Sequence, residues 1–330
     1  MEFTAAQLDL RPRLSIVVLC YNQAGYIGDC LRSILSQDPG VAFEVIVGDD
    51  GSGDDSVAVI ETFRSQYPLI VKLVQQRLNV GYSRNFAAVI AATSGDYIAC
   101  IDGDDMMLPG KLRRQIEFLD AHDDYGMVVH KMQAVDFQTK EPVDFPLPRL
   151  KPIDFDAEYL IEYGPYFFCS SAMFRGALRR RYAVDLNLKV VADVANLMQS
   201  VYGTRGRYLD EELGLYRVNP VGFTSTVIRN PRRHETNVSD MLYTFRMADE
   251  IGMAKDVVNR GRARLYLRSA IVYLEAGYFE DFRRCIEASV QVDKVGVKQA
   301  ALHLMRSWPH ALRRSYMFAK RMAGRKPMPA

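Results

Sequence analysis

The stretch LSIVVLCYN, residues 14–22, decides the fold. It is a compact apolar, β-branched run that stops at the polar pair Tyr21 and Asn22, the pattern of a strand buried on both faces. Directly after it, IGDCLRSILSQ (27–37) sets Ile27, Leu31, Ile34 and Leu35 at helical spacing. A second strand is expected at FEVIVG (43–48), a helix from about 54 to 67, and a third strand at LIVKLVQ (69–75). A helix from about 83 to 93 then leads to a fourth strand, DYIACI (96–101). Strands that alternate with helices of this length imply a parallel sheet with right-handed crossovers, and ligands of such sheets sit beyond the carboxyl ends of the strands.

Two acidic turns fall on that rim. IACIDGDD (98–105) runs from the fourth strand into Asp102, Asp104 and Asp105, and GDDGSGDDS (48–56) follows the second strand. Like charges this close resist ionising together unless water, a basic group or a cation compensates them. Paired carboxylates suit Mg²⁺ or Mn²⁺, because hard divalent ions take oxygen ligands and share them with substrate phosphates. A diphosphate would be repelled by bare aspartates, so the pattern is a template for a metal-bridged nucleotide diphosphate. Asp49 and Asp50 also suit turn forming or capping of the helix that follows.

The composition sets limits on the reading. The 330 residues are 48% hydrophobic and 25% charged, ordinary for a globular chain with a sizeable core. Charged residues interrupt every apolar run, so no membrane span is expected. Glu2 and Asp9 stand where a secretory signal would be basic and then apolar, and the expectation is a cytoplasmic chain. The five cysteines, Cys20, Cys30, Cys100, Cys169 and Cys285, are widely spaced and read as buried reduced thiols. The histidines form no zinc-type pair.

Beyond about residue 126 the pattern is mixed. MVVHKMQAVDF reads as a strand, the Pro-rich 142–152 as a loop, GPYFFCSSAMFR (164–175) as strand then turn, and VVADVANLMQSVYG (190–203) as a helix with Asp193 in its first turn. From about residue 229 the chain is helical, which places a boundary near 228: an α/β domain over 1–228 and a helical region over 229–330. RARLYLRSAIVYLEAGYFEDFRRCIEASVQVD (262–293) reads as an antiparallel helix pair. No acidic residue follows Asp293, whereas nine Lys and Arg do. A last helix starting at Ser307–Pro309 and stopping at Gly324 puts Trp308, Leu312, Ser315, Tyr316, Ala319 and Met322 along one side. Arg313, Arg314, Lys320 and Arg321 gather on another, and Met317 and Phe318 blur the pattern. Such a helix either lies in an anionic membrane interface on the inner face of the membrane or packs on the protein itself.

SIVVLCYNQAGYIGDCLRSIL, EVIVGDDGSGDDS, NVGYSRNFAAVIAATSGDYIACIDGDDMMLPGKL and VVADVANLMQ…YLDEELGLYRVN, in that order and spacing, resemble family 2 of the glycosyltransferases over about residues 13–227. The resemblance implies the GT-A fold, an α/β fold with a mostly parallel central sheet, here followed by a helical C-terminal region. It implies an inverting transfer of a sugar from a nucleotide diphosphate sugar to an acceptor hydroxyl in cell-surface polysaccharide or glycan assembly. UDP or dTDP remains open as the nucleotide, and the acceptor is a glycan or lipid-linked species. Position by position, Tyr21 and Asn22 match the nucleotide-pocket entrance, Asp49 the residue that binds the base imide, and Asp50 its neighbour. Arg84 and Asn85 match the donor-facing loop. Asp102 and Asp104 match the D-x-D motif that holds Mn²⁺ or Mg²⁺, with Asp102 also on the donor. Asp193 matches the catalytic base, with Asp210, Glu211 and Glu212 the next candidates. Asn219 stands where the family's late Y-R-x-H pattern has histidine.

The turn CYNQAGY lacks the G-x-G-x-x-G of a dinucleotide enzyme and the basic glycine-rich loop of a pyrophosphorylase. A catalytically inactive nucleotide-sugar-binding or assembly scaffold of the same fold is the alternative reading. Partners expected are the donor, the glycan acceptor, an anionic membrane surface at the tail and a second copy of the chain, with no nucleic acid.

Overall fold

A computed structural model describes residues 11–145, 152–189, 192–219 and 231–322. Its sheet has nine strands in the order β3-β2-β1-β4-β8-β6-β9-β5, with β7 also paired to β9. The strands are β1 (Leu14–Cys20), β2 (Phe43–Asp49), β3 (Val71–Gln75), β4 (Tyr97–Asp102), β5 (Met106–Met107), β6 (Tyr125–Asp136), β7 (Asp154–Phe155), β8 (Met173–Arg175) and β9 (Arg205–Val218). β1 lies between β2 and β4, parallel to both, and β2 is parallel to β3. β8 runs antiparallel to its neighbours β4 and β6, and β6 is parallel to β9. The mostly parallel α/β architecture read from the sequence is the one observed.

Burial on both faces explains the apolar runs. Leu14, Ile16, Val18 and Cys20 of β1 enter one core with α1 (Ile27–Leu35), α2 (Ser56–Gln66) and α4 (Lys111–Ala121), through Leu31, Ile60 and Ile116 among others. The alternate residues Val17, Ile46 and Ile98 are equally buried. On the other face α3 (Tyr82–Ala91) packs on β2 and β1, and α7 (Asp193–Val201) on β6 and β8.

One sequence expectation reverses. In 164–175 a 3₁₀ turn at Cys169–Ser171 comes first, and the strand β8 follows it. The reason is local: the amide and hydroxyl of Ser171 both donate to the carbonyl of Phe168, at 2.9 and 2.6 Å, which bends the chain before any ladder can start. The third strand also begins at Val71, because the amide of Ile70 closes a turn on Tyr67.

The chain divides into two compact units, Met1–Ala157 with Pro165–Asn219, and Glu158–Gly164 with Pro220–Ala330. The boundary expected near 228, the Pro-rich segment at 146–151, and Gly324, Arg325 and Lys326 of the tail lie outside the described residues. The second unit contains most of α5 (Ala157–Tyr163) together with α8 (Pro231–Glu250), α9 (Lys255–Ala276), α10 (Phe279–Val292), α11 (Val297–Leu304) and α12 (Pro309–Met322). Between α6 (Gly176–Arg181) of the first unit and α7 the chain is described except at 190–191. Glu162 of α5 binds Arg260 and Arg264 of α9 at 2.8 and 3.2 Å, and α9 and α10 form the expected helix pair around Tyr273, Leu274, Phe282 and Ile286. Among the described residues no helix is long and apolar enough to cross a membrane.

The first unit also holds a buried cation without a partner. Lys111, at the start of α4, is 1% exposed and its Nζ has no hydrogen-bond partner. Burial lowers its pKa from 10.5 to about 8, and repulsion from Lys111 adds to the burial that holds nearby His130 at about 3. A lysine whose folded pKa lies below its unfolded value destabilises the fold wherever it is charged, so stability rises as pH climbs from about 8 to 10.5. Lys111→Met should therefore raise stability at pH 7 by ~3 kcal/mol, and the gain should fade by pH 10 to 11. Denaturant melts of both proteins across that range check it; an equal gain at every pH would assign the effect to packing.

Candidate active site

The register of β1 builds the site. Cys20 stands opposite Asp49 of β2, and Leu19 stands opposite Asp102 of β4, so the two acidic turns open side by side at one end of β1. Hydrogen bonds lace the loop after β1 to the loop after β2. The amide of Asn22 donates to Ser52 Oγ at 2.9 Å, Gly53 N to Asn22 Oδ1 at 2.8 Å, Gln23 N to Ser56 Oγ at 2.8 Å and Ala24 N to Asp54 at 3.0 Å. Asn22 adopts a φ of 52°, which asparagine tolerates better than most residues. Tyr21 beside it is 48% exposed, an aromatic surface at the rim.

Asp49 and Asp50 divide their work. Asp49 is fully buried and accepts from the amide of Ser52 at 3.0 Å and from its hydroxyl. Asp50 accepts from the amides of Val80 and Gly81, at 2.8 and 3.1 Å, and so ties down the entry to α3. Gly51, which follows them, has a φ of +70°, and a Cβ there would lie 2.4 Å from the backbone of Leu78, so only glycine fits. Within α3, Asn85 is buried and donates to the carbonyl of Gly48 at 2.9 Å, while Arg84 is exposed and has no hydrogen bond or ion pair among the described residues.

The D-x-D-D turn is sorted by burial. Asp105 is 1% exposed and accepts from Ser170 Oγ and, at 3.0 Å, from the amide of Arg217, which makes it an anchor. Asp102 and Asp104 remain partly exposed. Burial, together with the charges of Asp104 and Asp193, pushes Asp102 up to about 8, and burial also raises Asp104, against hydrogen bonding from Gln23 and the charge of Arg217. Arg217 does not pair with either side chain. Its guanidinium is buried, donates to the carbonyl of Asp104 at 3.0 Å and binds Asp29 of α1 at 2.8 Å, so it braces the turn from behind.

Asp193, 91 positions downstream of Asp102, joins this centre as the first residue of α7. Burial raises its pKa, while hydrogen bonding from Tyr82 and Cys169 favours the charged form. Burial also pushes the Tyr82 phenol and the Cys169 thiol well above their usual values, so both stay protonated donors at neutral pH. Tyr82 is held in place by stacking on Phe86, with ring centroids 5.7 Å apart. The downstream acids Glu211 and Glu212 are engaged elsewhere, with Arg114 at 2.9 Å and Lys131 at 2.8 Å.

Tyr82, Cys169, Gln23 and Asp105 are site residues that the sequence reading did not assign. Tyr82 stands in N-V-G-Y-S-R-N, two positions before the arginine the resemblance singled out, so a signal was present; Cys169 carried none. Tyr216 packs with Phe168 at 3.9 Å and Phe145 at 5.4 Å in an aromatic cluster. Cys20, pushed up to about 12 by burial, is a packing thiol, and all five cysteines are free.

Among the described residues no three His, Cys, Asp or Glu side chains form a ready cage for a metal ion. Two partly exposed carboxylates on one turn, Asp102 and Asp104, nevertheless suit a hard divalent cation that takes one or two protein oxygens and fills its remaining positions with water and phosphate. Burial, and then the uncompensated charges of Asp104 and Asp193, raise Asp102, a cost that a cation beside it would offset.

Comparison with known proteins bears on the family and the fold. Succinoglycan biosynthesis protein ExoO of Rhizobium meliloti is 38% identical over 114 residues, 34% of this chain and 32% of that protein. Curated relatives are matched over only part of their length, 39% in another case. The Staphylococcus aureus TarS 1-349 structure in complex with UDP-GlcNAc superposes with a TM-score of 0.62 at 17% identity, covering 95% of this chain and 92% of that one. The mannosyltransferase PcManGT of Pyrobaculum calidifontis, in complex with GDP-Man and Mn²⁺, superposes with a TM-score of 0.57 at 18% identity, covering 94% and 84%. At those identities the likeness shows the fold, which is GT-A. The sequence profile of Glycosyl transferase family 2 matches residues 15–182, half of the chain and both acidic turns, and the chain belongs to that family.

Proposed function

We propose that this glycosyltransferase moves a sugar from a UDP-sugar to an acceptor hydroxyl with inversion, in the assembly of a cell-surface polysaccharide. The observation that carries the reading is the meeting of Asp193 with Asp102 in one partly buried acidic centre. A single base facing an electrostatic site for a leaving diphosphate is what an in-line displacement requires. The relative named for succinoglycan biosynthesis and the fold neighbour bound to UDP-GlcNAc support the substrate class. The catalytic domain is assigned to residues 1–228 and the helical appendage to 229–330.

In this mechanism Tyr21, Asn22 and Asp49 receive the base, with Asp49 accepting its imide N–H, and Asp50 holds the loop that leads to Arg84. The exposed Arg84 meets the donor diphosphate. Asp102 and Asp104 would hold Mn²⁺ or Mg²⁺, and such an ion, when bound, supplies charge stabilisation to the departing diphosphate. Asp193 takes the proton of the acceptor hydroxyl as that oxygen bonds to the anomeric carbon and the bond to the diphosphate breaks. The protonated Tyr82 and Cys169 orient the carboxylate and keep it charged. An inactive nucleotide-sugar-binding scaffold would bind the donor and never release nucleotide diphosphate.

Asp104→Ala should abolish Mn²⁺-dependent release of nucleotide diphosphate and leave the melting temperature unchanged or higher, since it relieves repulsion between carboxylates. Turnover near the parent rate at saturating Mn²⁺ would remove Asp104 from the metal site.

Asp49→Ala should weaken UDP about tenfold or more, the loss of a hydrogen bond with a charged partner, and narrow the preference for UDP over CDP in calorimetric titrations. Ser52→Ala, which disturbs the same turn but keeps the carboxylate, is the control. Equal losses in the two variants would make Asp49 a turn former only.

Asp193→Asn should lower transfer about 10²- to 10⁴-fold, the range for a lost general base, with donor affinity retained. Tyr82→Phe removes a donor that favours the charged carboxylate, so the acidic limb of its pH–rate profile should move to higher pH. A limb that stays in place would separate Tyr82 from the base.

A further inference from the structure

The last helix, α12, divides the apolar side that its helical wheel suggests: Leu312 and Tyr316 turn inward, and Trp308, Ser315, Ala319 and Met322 stay exposed. Pro309 and Leu312 are buried and Tyr316 is partly so, packed on the core of Leu274, Phe282 and Ile286. Two of the cations are used by the protein itself: Lys320 pairs with Glu275 at 2.7 Å, and Arg313 donates to the Glu275 carbonyl at 3.1 Å. The inward side thus takes Leu312, Tyr316 and Lys320. Left outside is a second stripe, Trp308, Ala311, Ser315, Phe318 and Met322, spaced three and four apart and exposed at every position. Its three large members are 66, 67 and 75% exposed, and Leu304, just before Trp308, is 75% exposed. Phe318, which blurs the wheel, is the centre of this face.

Apolar side chains so exposed and so ordered mark an interaction surface rather than chance. The three-and-four spacing suits either a partner helix or a bilayer, and charge decides between them. Arg314 is exposed beside the stripe with no partner among the described residues, Lys294 and Lys298 are exposed nearby in sequence, and no acid follows Asp293. A second copy would bring cation against cation, whereas an anionic surface neutralises them. A stripe that carries Trp308 at one end and Phe318 along it, with polar neighbours, is also what a lipid interface takes up.

We propose that α12 docks the protein on anionic lipid bilayers, with Trp308, Phe318 and Met322 entering the acyl boundary and Arg314 meeting the headgroups. The inference is independent of the transfer reaction.

Sedimentation of the full chain with vesicles of phosphatidylcholine, with and without about one third phosphatidylserine, tests it. Binding is expected to the mixed vesicles only, with release at roughly 0.5 M salt, where the Debye length falls well below its ~8 Å physiological value. Trp308→Ser with Phe318→Ser should lower the bound fraction at least tenfold, and Arg314→Glu about fivefold or more, one basic residue near the surface being worth ~1 kcal/mol. These side chains are exposed, so unchanged thermal melts confirm that the variants fold. Equal sedimentation of parent and variants, or equal binding to pure phosphatidylcholine, would overturn the proposal. So would a dimer seen by light scattering without lipid and abolished by the Trp308 and Phe318 changes.

Discussion

The pairing of β1 with β2 on one side and β4 on the other is the constraint on which the site depends. It is a ladder of parallel hydrogen bonds in which Cys20 meets Asp49 and Leu19 meets Asp102. Because side chains alternate along a strand, a slip of one residue would turn the whole apolar set of β1 from one core to the other. Both faces of β1 are buried under helices, which strongly specifies the register. The two acidic turns are therefore held at a fixed separation by the core, and the loops between them need only trim the details. They do so with Asn22, Ser52, Asp54 and Ser56, short side chains that bond amides of the neighbouring loop.

Electrostatics in the centre follow from what the fold does with charge. Asp105 spends its carboxylate on Ser170 and on the Arg217 amide, and Arg217 spends its guanidinium on Asp29 and a carbonyl. No described cation pairs with the side chains of Asp102 or Asp193. The result is a partly buried cluster in which burial, and then the charges of Asp104 and Asp193, raise the pKa of Asp102, an arrangement costly for folding and typical of sites where charge is to be received. The same unit tolerates a further cost in Lys111, whose ammonium lies unpaired behind the sheet.

The helical unit obeys a simpler rule. Fit decides what turns inward: α9 is buried on several sides, whereas α12 has two apolar stripes and buries the one that fits α9 and α10. Leu312 and Tyr316 fill that core, and Glu275 collects Arg313 and Lys320 at its edge. The second stripe is a consequence of that choice.

Much of this was legible in the residues. The alternation of apolar runs with helical spacing established the parallel sheet, and the placement of acidic turns after the second and fourth strands pointed to the rim where Asp49, Asp102 and Asp104 stand. Those signals are local, carried by periodicities of two and 3.6 residues and by turn chemistry within a few positions. What only the tertiary structure decided is long-range: that Asp193 comes beside Asp102, that Tyr82 and Cys169 are its donors, that Asp105 and Arg217 turn inward as braces, and that Phe318 and not Leu312 faces out. Each depends on which elements become neighbours across the sheet or in the helical unit. Pattern along the chain does not encode that choice, because the free energy that selects it comes from packing between residues tens of positions apart.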